Sequence, residues 1–244
     1  MLRGYLIALV CAVAVAFAHA ANASSADFHA GIKAYAAGDI DTALDRWNDA
    51  AQEGHAGAAY LLANLYADGL AGSVQHHLAF RYYEQAAQAG HTEAQIALAN
   101  YYRTGNEAAG IEVDLHKAHA WLAKAAYNRN AHAQYILGDM HTKGEGVEQN
   151  PHRGLRWFLL AAEKKYPLAL ARLGLIYSAG EIVTPDVPKG FMYMSLAAEE
   201  ARGRERATIV AQYDRMLAQV TPLDRQLGLE MASKWRAERQ ALRR

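Results

Sequence analysis

A pair of alanines recurs along this chain at Ala50-Ala51, Ala86-Ala87, Ala125-Ala126, Ala161-Ala162 and Ala197-Ala198, in steps of 36, 39, 36 and 36 residues. Other columns keep the same steps. A small residue returns as Ala58, Ala94, Ala133 and Ala169, and a leucine pair as Leu62-Ala63, Leu98-Ala99, Leu137-Gly138 and Leu173-Gly174. An aromatic column reads Tyr66, Tyr102, His141, Tyr177, and a loop glycine reads Gly69, Gly105, Gly144, Gly180. Bulky pairs precede the alanines: Tyr82-Tyr83, Trp121-Leu122, Trp157-Phe158 and Tyr193-Met194. One such column would mark only an amphipathic helix; many columns in one register mark an internal repeat.

One period shows what each copy is. From Ala133 the small and apolar residues Leu137-Gly138 and Met140-His141 keep the three-to-four spacing of a helix face. Gly144-Glu145-Gly146 interrupts, since glycine readily takes the left-handed conformation that ends a helix. Pro151 then suits a first helical turn, and Gly154, Trp157-Phe158 and Ala161-Ala162 form a second stripe. A helical hairpin of this size cannot bury its own apolar face, so it must stack on copies of itself.

These residues carry a resemblance. The pattern Ala-x-x-x-Leu-Gly-x-x-aromatic-x-x-Gly-x-Gly-Val, followed by the paired aromatics and paired alanines, resembles the Sel-one-like repeat (SLR) family, related to the tetratricopeptide (TPR) repeats. The copy with Gly144, Gly146, Val147 and Trp157 fits best. The first departs at Leu70 to Val74, the second carries an insertion from Glu107 to Glu112, and the last reads Glu181-Ile182-Val183. The resemblance implies an all-α, right-handed solenoid of Sel-one-like/TPR-type hairpins with C-terminal capping helices. Full repeats are expected at about 56–90, 92–129, 131–165 and 167–201, after a degenerate hairpin at 26–54, within a solenoid spanning 24–201.

Residues 1–23 read as a secretory signal peptide, with Arg3 ahead of an apolar run from Tyr5 to Ala18 and small-x-small sites ending at Ala20 and Ala23. Cleavage after Ala23 is favoured and after Ala20 is the alternative; an uncleaved anchor would need a longer apolar run. Cys11, the only cysteine, would leave with the signal, so the chemistry of disulfide-stapled relatives does not transfer. Residues 202–244 are expected to form two capping helices. Thr221 and Pro222 would open the last, with Leu223, Leu227, Met231 and Trp235 on its packing face and the arginines 236, 239, 243 and 244 solvated near its end.

Charge narrows the function. Lys and Arg together number 25, and so do Asp and Glu, which leaves no net field to draw the chain onto nucleic acid or anionic lipid. No nucleophile elbow, phosphate loop, His-Glu-x-x-His or Cys-x-x-Cys is present. His77, His116 and His152 share one column and His55 and His91 another, all read as polar surface histidines near helix starts. His116 and His119, three apart, offer half a zinc site without evident further ligands. His141 is expected to be a packed core histidine, and Trp157 a core aromatic whose truncation would be severe. No cofactor, no metal and no catalytic residue are expected.

What remains is a surface. By resemblance to the TPR fold, the first helix of each hairpin lines a concave groove. The Leu-Gly column then places Tyr60, Ile96 and Tyr135 at one groove position and Asn64, Asn100 and Asp139 at another. Phe28, Ile32 and Tyr35 would line its start, with Asp68, Arg103 and Lys143 one turn on. Amides can both donate to and accept from a peptide backbone, while aromatics take its side chains. The fourth copy has Ala171 and Leu175 there, an end expected to lie under the C-terminal helices.

The expectation is a monomeric periplasmic or secreted scaffold binding a protein or peptide of the cell envelope. It would not bind nucleic acid and would meet the membrane only through its partner. An envelope hydrolase acting on cell-wall peptide, sugar or a β-lactam is the alternative, with a periplasmic regulator of a membrane sensor as a third reading.

Overall fold

A computed structural model describes residues 24–241, and the expected signal peptide lies outside the described residues. Twelve α-helices follow one another among the described residues: α1 (24–36), α2 (Ile40–Gln52), α3 (Ala56–Asp68), α4 (His76–Gln88), α5 (Thr92–Thr104), α6 (Leu115–Tyr127), α7 (Ala131–Lys143), α8 (Pro151–Glu163), α9 (Pro167–Ala179), α10 (Val187–Glu200), α11 (Arg206–Gln219) and α12 (Pro222–Ala241). The one extended contact among them is an isolated bridge between Asn106 and Ile111. The fold is all-α.

The repeat is written in backbone hydrogen bonds as well as in side chains. The second helices α2, α4, α6 and α8 end the same way: the amides of His55, His91, Asn130 and Tyr166 donate to the carbonyls of Ala50, Ala86, Ala125 and Ala161. That is the six-to-one closure that satisfies carbonyls orphaned at a helix end. Within each hairpin, the amides of Gln75, Asp114, Asn150 and Asp186 donate to the carbonyls of Tyr66, Tyr102, His141 and Tyr177. The aromatic column is thus also the anchor of the loop in each of the four full repeats. In the second copy, three extra residues are absorbed between Gly105 and Asp114 by a short 3-10 turn, Glu107–Ala109, and the bond to Tyr102 is kept at 2.7 Å.

The chain forms two compact units, one ending at Trp121 and the other beginning at Leu122, within α6. In the N-terminal unit, Trp47 of α2 is 2% exposed and lies over Gly31, where an added Cβ would come within 2.4 Å of its ring. Its indole N–H donates to the Phe28 carbonyl at 3.2 Å. Ala43, Ala50, Ala58, Ala63, Ala79 and Ala86 fill the rest of this core with Leu62 and Leu98. Small residues let helix axes approach closely, which is why alanine dominates the columns.

The C-terminal unit replaces alanine with glycine at its two hairpin crossings. A Cβ on Gly154 would lie 2.6 Å from the Gly138 carbonyl oxygen, and one on Gly190 2.9 Å from that of Gly174. Phe158 sits over Gly138 and is fully buried, with Phe191, Leu170, Leu173, Ile176 and Met194 around the same core. Trp157, expected in the core, is half-buried and meets the exposed Tyr127 edge-on. The two adjacent positions differ by about 100° on the helix, and it is Phe158 that faces α7.

The last helix also packs differently from its expected face. Leu223 is 65% exposed and Leu227 40%, whereas Gly228 and Ala232 are buried, with Met231 and Trp235 half-buried. A Cβ at Gly228 would lie 2.7 Å from the Pro188 carbonyl oxygen and 3.0 Å from Phe191. Close approach to α10 selects the small-residue stripe over the leucine stripe. As expected, Thr221 accepts from the Asp224 amide at 3.1 Å at the start of α12.

Candidate functional site

The first helices of successive hairpins touch through a repeated aromatic contact. In the N-terminal unit, Phe28 of α1 stacks on His55 just before α3, with ring centroids 4.2 Å apart. Tyr60 of α3 stacks on His91 just before α5 at 4.4 Å. In the C-terminal unit, Tyr135 of α7 lies 5.6 Å from Tyr166, the residue before α9. His55 and His91 are helix N-caps, their Nδ1 atoms accepting from the Ala58 and Ala94 amides at 3.2 and 3.3 Å. Asn130 caps α7 in the same column, its side chain accepting from the Ala133 amide at 3.0 Å. Sequence reasoning found the column and missed its role, although Asn130 in register was the available signal.

Of the residues expected to face a partner, Ile32 and Tyr35 are 43% exposed, and Asp68 and Asn100 are exposed. Arg103 is half-buried, and its Nη1 donates to Asn100 at 3.4 Å. Ile96 is 9% exposed, so it is buried rather than open to a partner. Phe28 and Tyr60 are half-buried in their stacks, presenting only part of each ring.

Asn64 is committed to the fold. Its side-chain oxygen accepts at 2.6 Å from the hydroxyl of Tyr83, a residue only 7% exposed whose phenol is pushed well up, first by burial and then by Tyr101, Tyr60 and Asp68.

In the C-terminal unit, Tyr135 is half-buried against Phe158 and Tyr166, and burial raises its phenol. Asp139 and the exposed Lys143 form an ion pair one helical turn apart, and the hydrogen bond that Lys143 donates to Asp139 raises the lysine. In the fourth copy Ala171 is buried, and Leu175 lines a cavity of about 790 Å³ with Met216 and Val220 from α11 and the loop after it. His141 is 3% exposed, as expected for a core histidine. Among the described residues no group of three or more His, Cys, Asp or Glu could hold a metal ion. No described helix is long and apolar enough to cross a membrane.

Stacked helical hairpins with an exposed polar and aromatic first-helix face define the class, a helical-repeat scaffold. The Sel1 repeat family model matches residues 56–91, 92–130, 131–166 and 167–201, and the chain belongs to the Sel1 repeat family. Among solved structures it is similar to a Sel1 repeat protein from Oxalobacter formigenes, with 22% identity and a TM-score of 0.68 over 86% of this chain and 87% of that one. It is also similar to c5321, a protective antigen of uropathogenic Escherichia coli strains displaying an SLR fold, with 20% identity and a TM-score of 0.54 over 87% of this chain and 53% of that one. No match was found among curated proteins.

Proposed function

We propose that this protein is a non-catalytic scaffold of the cell envelope that holds a protein or peptide partner on the first-helix faces of its repeats. The observation that carries the reading is the division of labour between helix faces. Leu62, Leu98 and Leu137 are only 0 to 1% exposed, while Ile32, Tyr35 and Asn100 remain open and Arg103 is half-buried. Exposed aromatic and apolar groups beside amides and an arginine are a composition enriched in protein interfaces. Within the C-terminal unit, the Asp139–Lys143 pair and the exposed part of Tyr135 offer the corresponding patch. Periplasmic placement rests on the apolar run and small-x-small sites of residues 1–23.

The test is a comparison of two proteins. Tagged parent protein should retain a partner from envelope extract, and a Tyr35→Ser/Asn100→Ala/Arg103→Ala variant with an unchanged melting curve should lose it. Equal retention by the variant would move the binding surface elsewhere.

A further inference from the structure

The two histidine caps share one chemical requirement. An imidazole can accept from a backbone amide only where its nitrogen carries no proton, so the Ala58 and Ala94 amides are satisfied only by neutral His55 and His91. Protonation would turn each acceptor into a donor, leave a first-turn amide without its partner, and place a positive charge at the positive end of a helix dipole. The stacked rings of Phe28 and Tyr60 sit directly on these two imidazoles, so the cap and the first-helix face are mechanically one object. In the next hairpin Asn130 makes the same bond with a side chain that does not titrate.

We propose that His55 and His91 make the N-terminal unit of this scaffold proton-sensitive, acidification uncapping α3 and α5 and loosening the Phe28 and Tyr60 stacks. The device lies at residues of the proposed partner-binding face but stands or falls without a partner.

The groups around each ring weigh the two directions. Burial lowers both histidines, since it disfavours the charged form. Around His55 the facing groups are Phe28 and, on the same helix as Phe28, His29, whose charge would lower it further, against the hydrogen bond with its own backbone, which raises it. Around His91 they are Tyr60, Glu93 and His55; Glu93, 3.7 Å away, favours the charged form and His55 opposes it. An imidazolium would also gain some attraction from the ring beneath it. Because the folded state prefers the neutral ring, the stabilisation is complete above the ordinary histidine value of 6.5 and is lost as pH falls below it.

Amide hydrogen exchange on the full chain, corrected for intrinsic rates, tests this at pH 7.5 and pH 5. Protection at Ala58 and Ala94 should fall at least tenfold on acidification, while Ala133 beneath Asn130 holds. The His55→Asn/His91→Asn variant keeps an acceptor at both caps and should be as protected at pH 5 as at pH 7.5. Unchanged protection at Ala58 and Ala94 in the parent, or an equal acid loss in the variant, would overturn the proposal. If the exchange result holds and the partner-capture experiment fails, only the binding reading falls.

Discussion

Neighbouring residues in this repeat do unlike jobs, and the difference is measurable. Phe158 is fully buried over Gly138, whereas Trp157 beside it is half-exposed. Phe158→Ala should therefore cost about 3–5 kcal/mol in a denaturant titration, as for a large core aromatic, and Trp157→Ala far less. The amide column splits in the same way. Asn64→Ala would strand the buried Tyr83 hydroxyl at a cost of about 1–3 kcal/mol. Asn100→Ala, at an exposed site, should stay within about 0.5 kcal/mol of the parent. Equal effects in either pair would show that the side-chain environments are misassigned. The identity of the columns was legible in the sequence; which of two adjacent bulky residues turned inward was not, because that depends on where the partner helix crosses.

At the scale of helices and turns, one position changes residue type while keeping its geometry. The turn between hairpins carries a left-handed residue at Gly54 and Gly90, and at the corresponding Arg129 and Lys165, with φ of 64° and 61° at the last two. A side chain in that region costs roughly 1–2 kcal/mol, which glycine avoids at some cost in unfolded-chain entropy. Lys165 has a return for its strain, a 2.6 Å ion pair with Glu200. Arg129 is exposed, and Arg129→Gly should leave the melting temperature unchanged or raise it by a few degrees, for a gain of up to about 1 kcal/mol. A clear drop would mean that the arginine side chain contributes a contact worth more than the strain. The six-to-one closure of the preceding helix, shared by all four turns, imposes this geometry whatever residue stands there.

For the molecule as a whole, both units bury tyrosine phenols and should be lost at high pH, whereas the histidine caps weaken the N-terminal unit at low pH. In the C-terminal unit Tyr193 and Tyr166 are pushed up to about 12, foremost by burial. The folded state holds these phenols neutral, so the stabilisation is intact below the ordinary tyrosine value of 10.0 and is lost as pH rises through about 12. Ultraviolet titration should show a late-ionising class of tyrosines whose ionisation coincides with loss of helical circular dichroism. Tyr193→Phe should shift that loss to higher pH. Ionisation of all tyrosines near 10 with the helix signal intact would sink the assignment.

The repeat itself, its hairpins, its loop glycines and the three-residue insertion could all be read from spacing alone, because a period of fixed length admits few ways to bury the same face copy after copy. Local chemistry likewise announced Thr221 as the cap before Pro222. What only the tertiary structure decided were the places where two helices compete for one surface. Gly228 and Ala232 displaced Leu223 and Leu227 from the face of α12, because close approach to Pro188 and Phe191 leaves no room for a side chain. His55 and His91 became half-buried caps rather than open surface groups, because Phe28 and Tyr60 of the preceding first helix lie across them. A sequence specifies which residues can pack; the distance between axes determines which of them do.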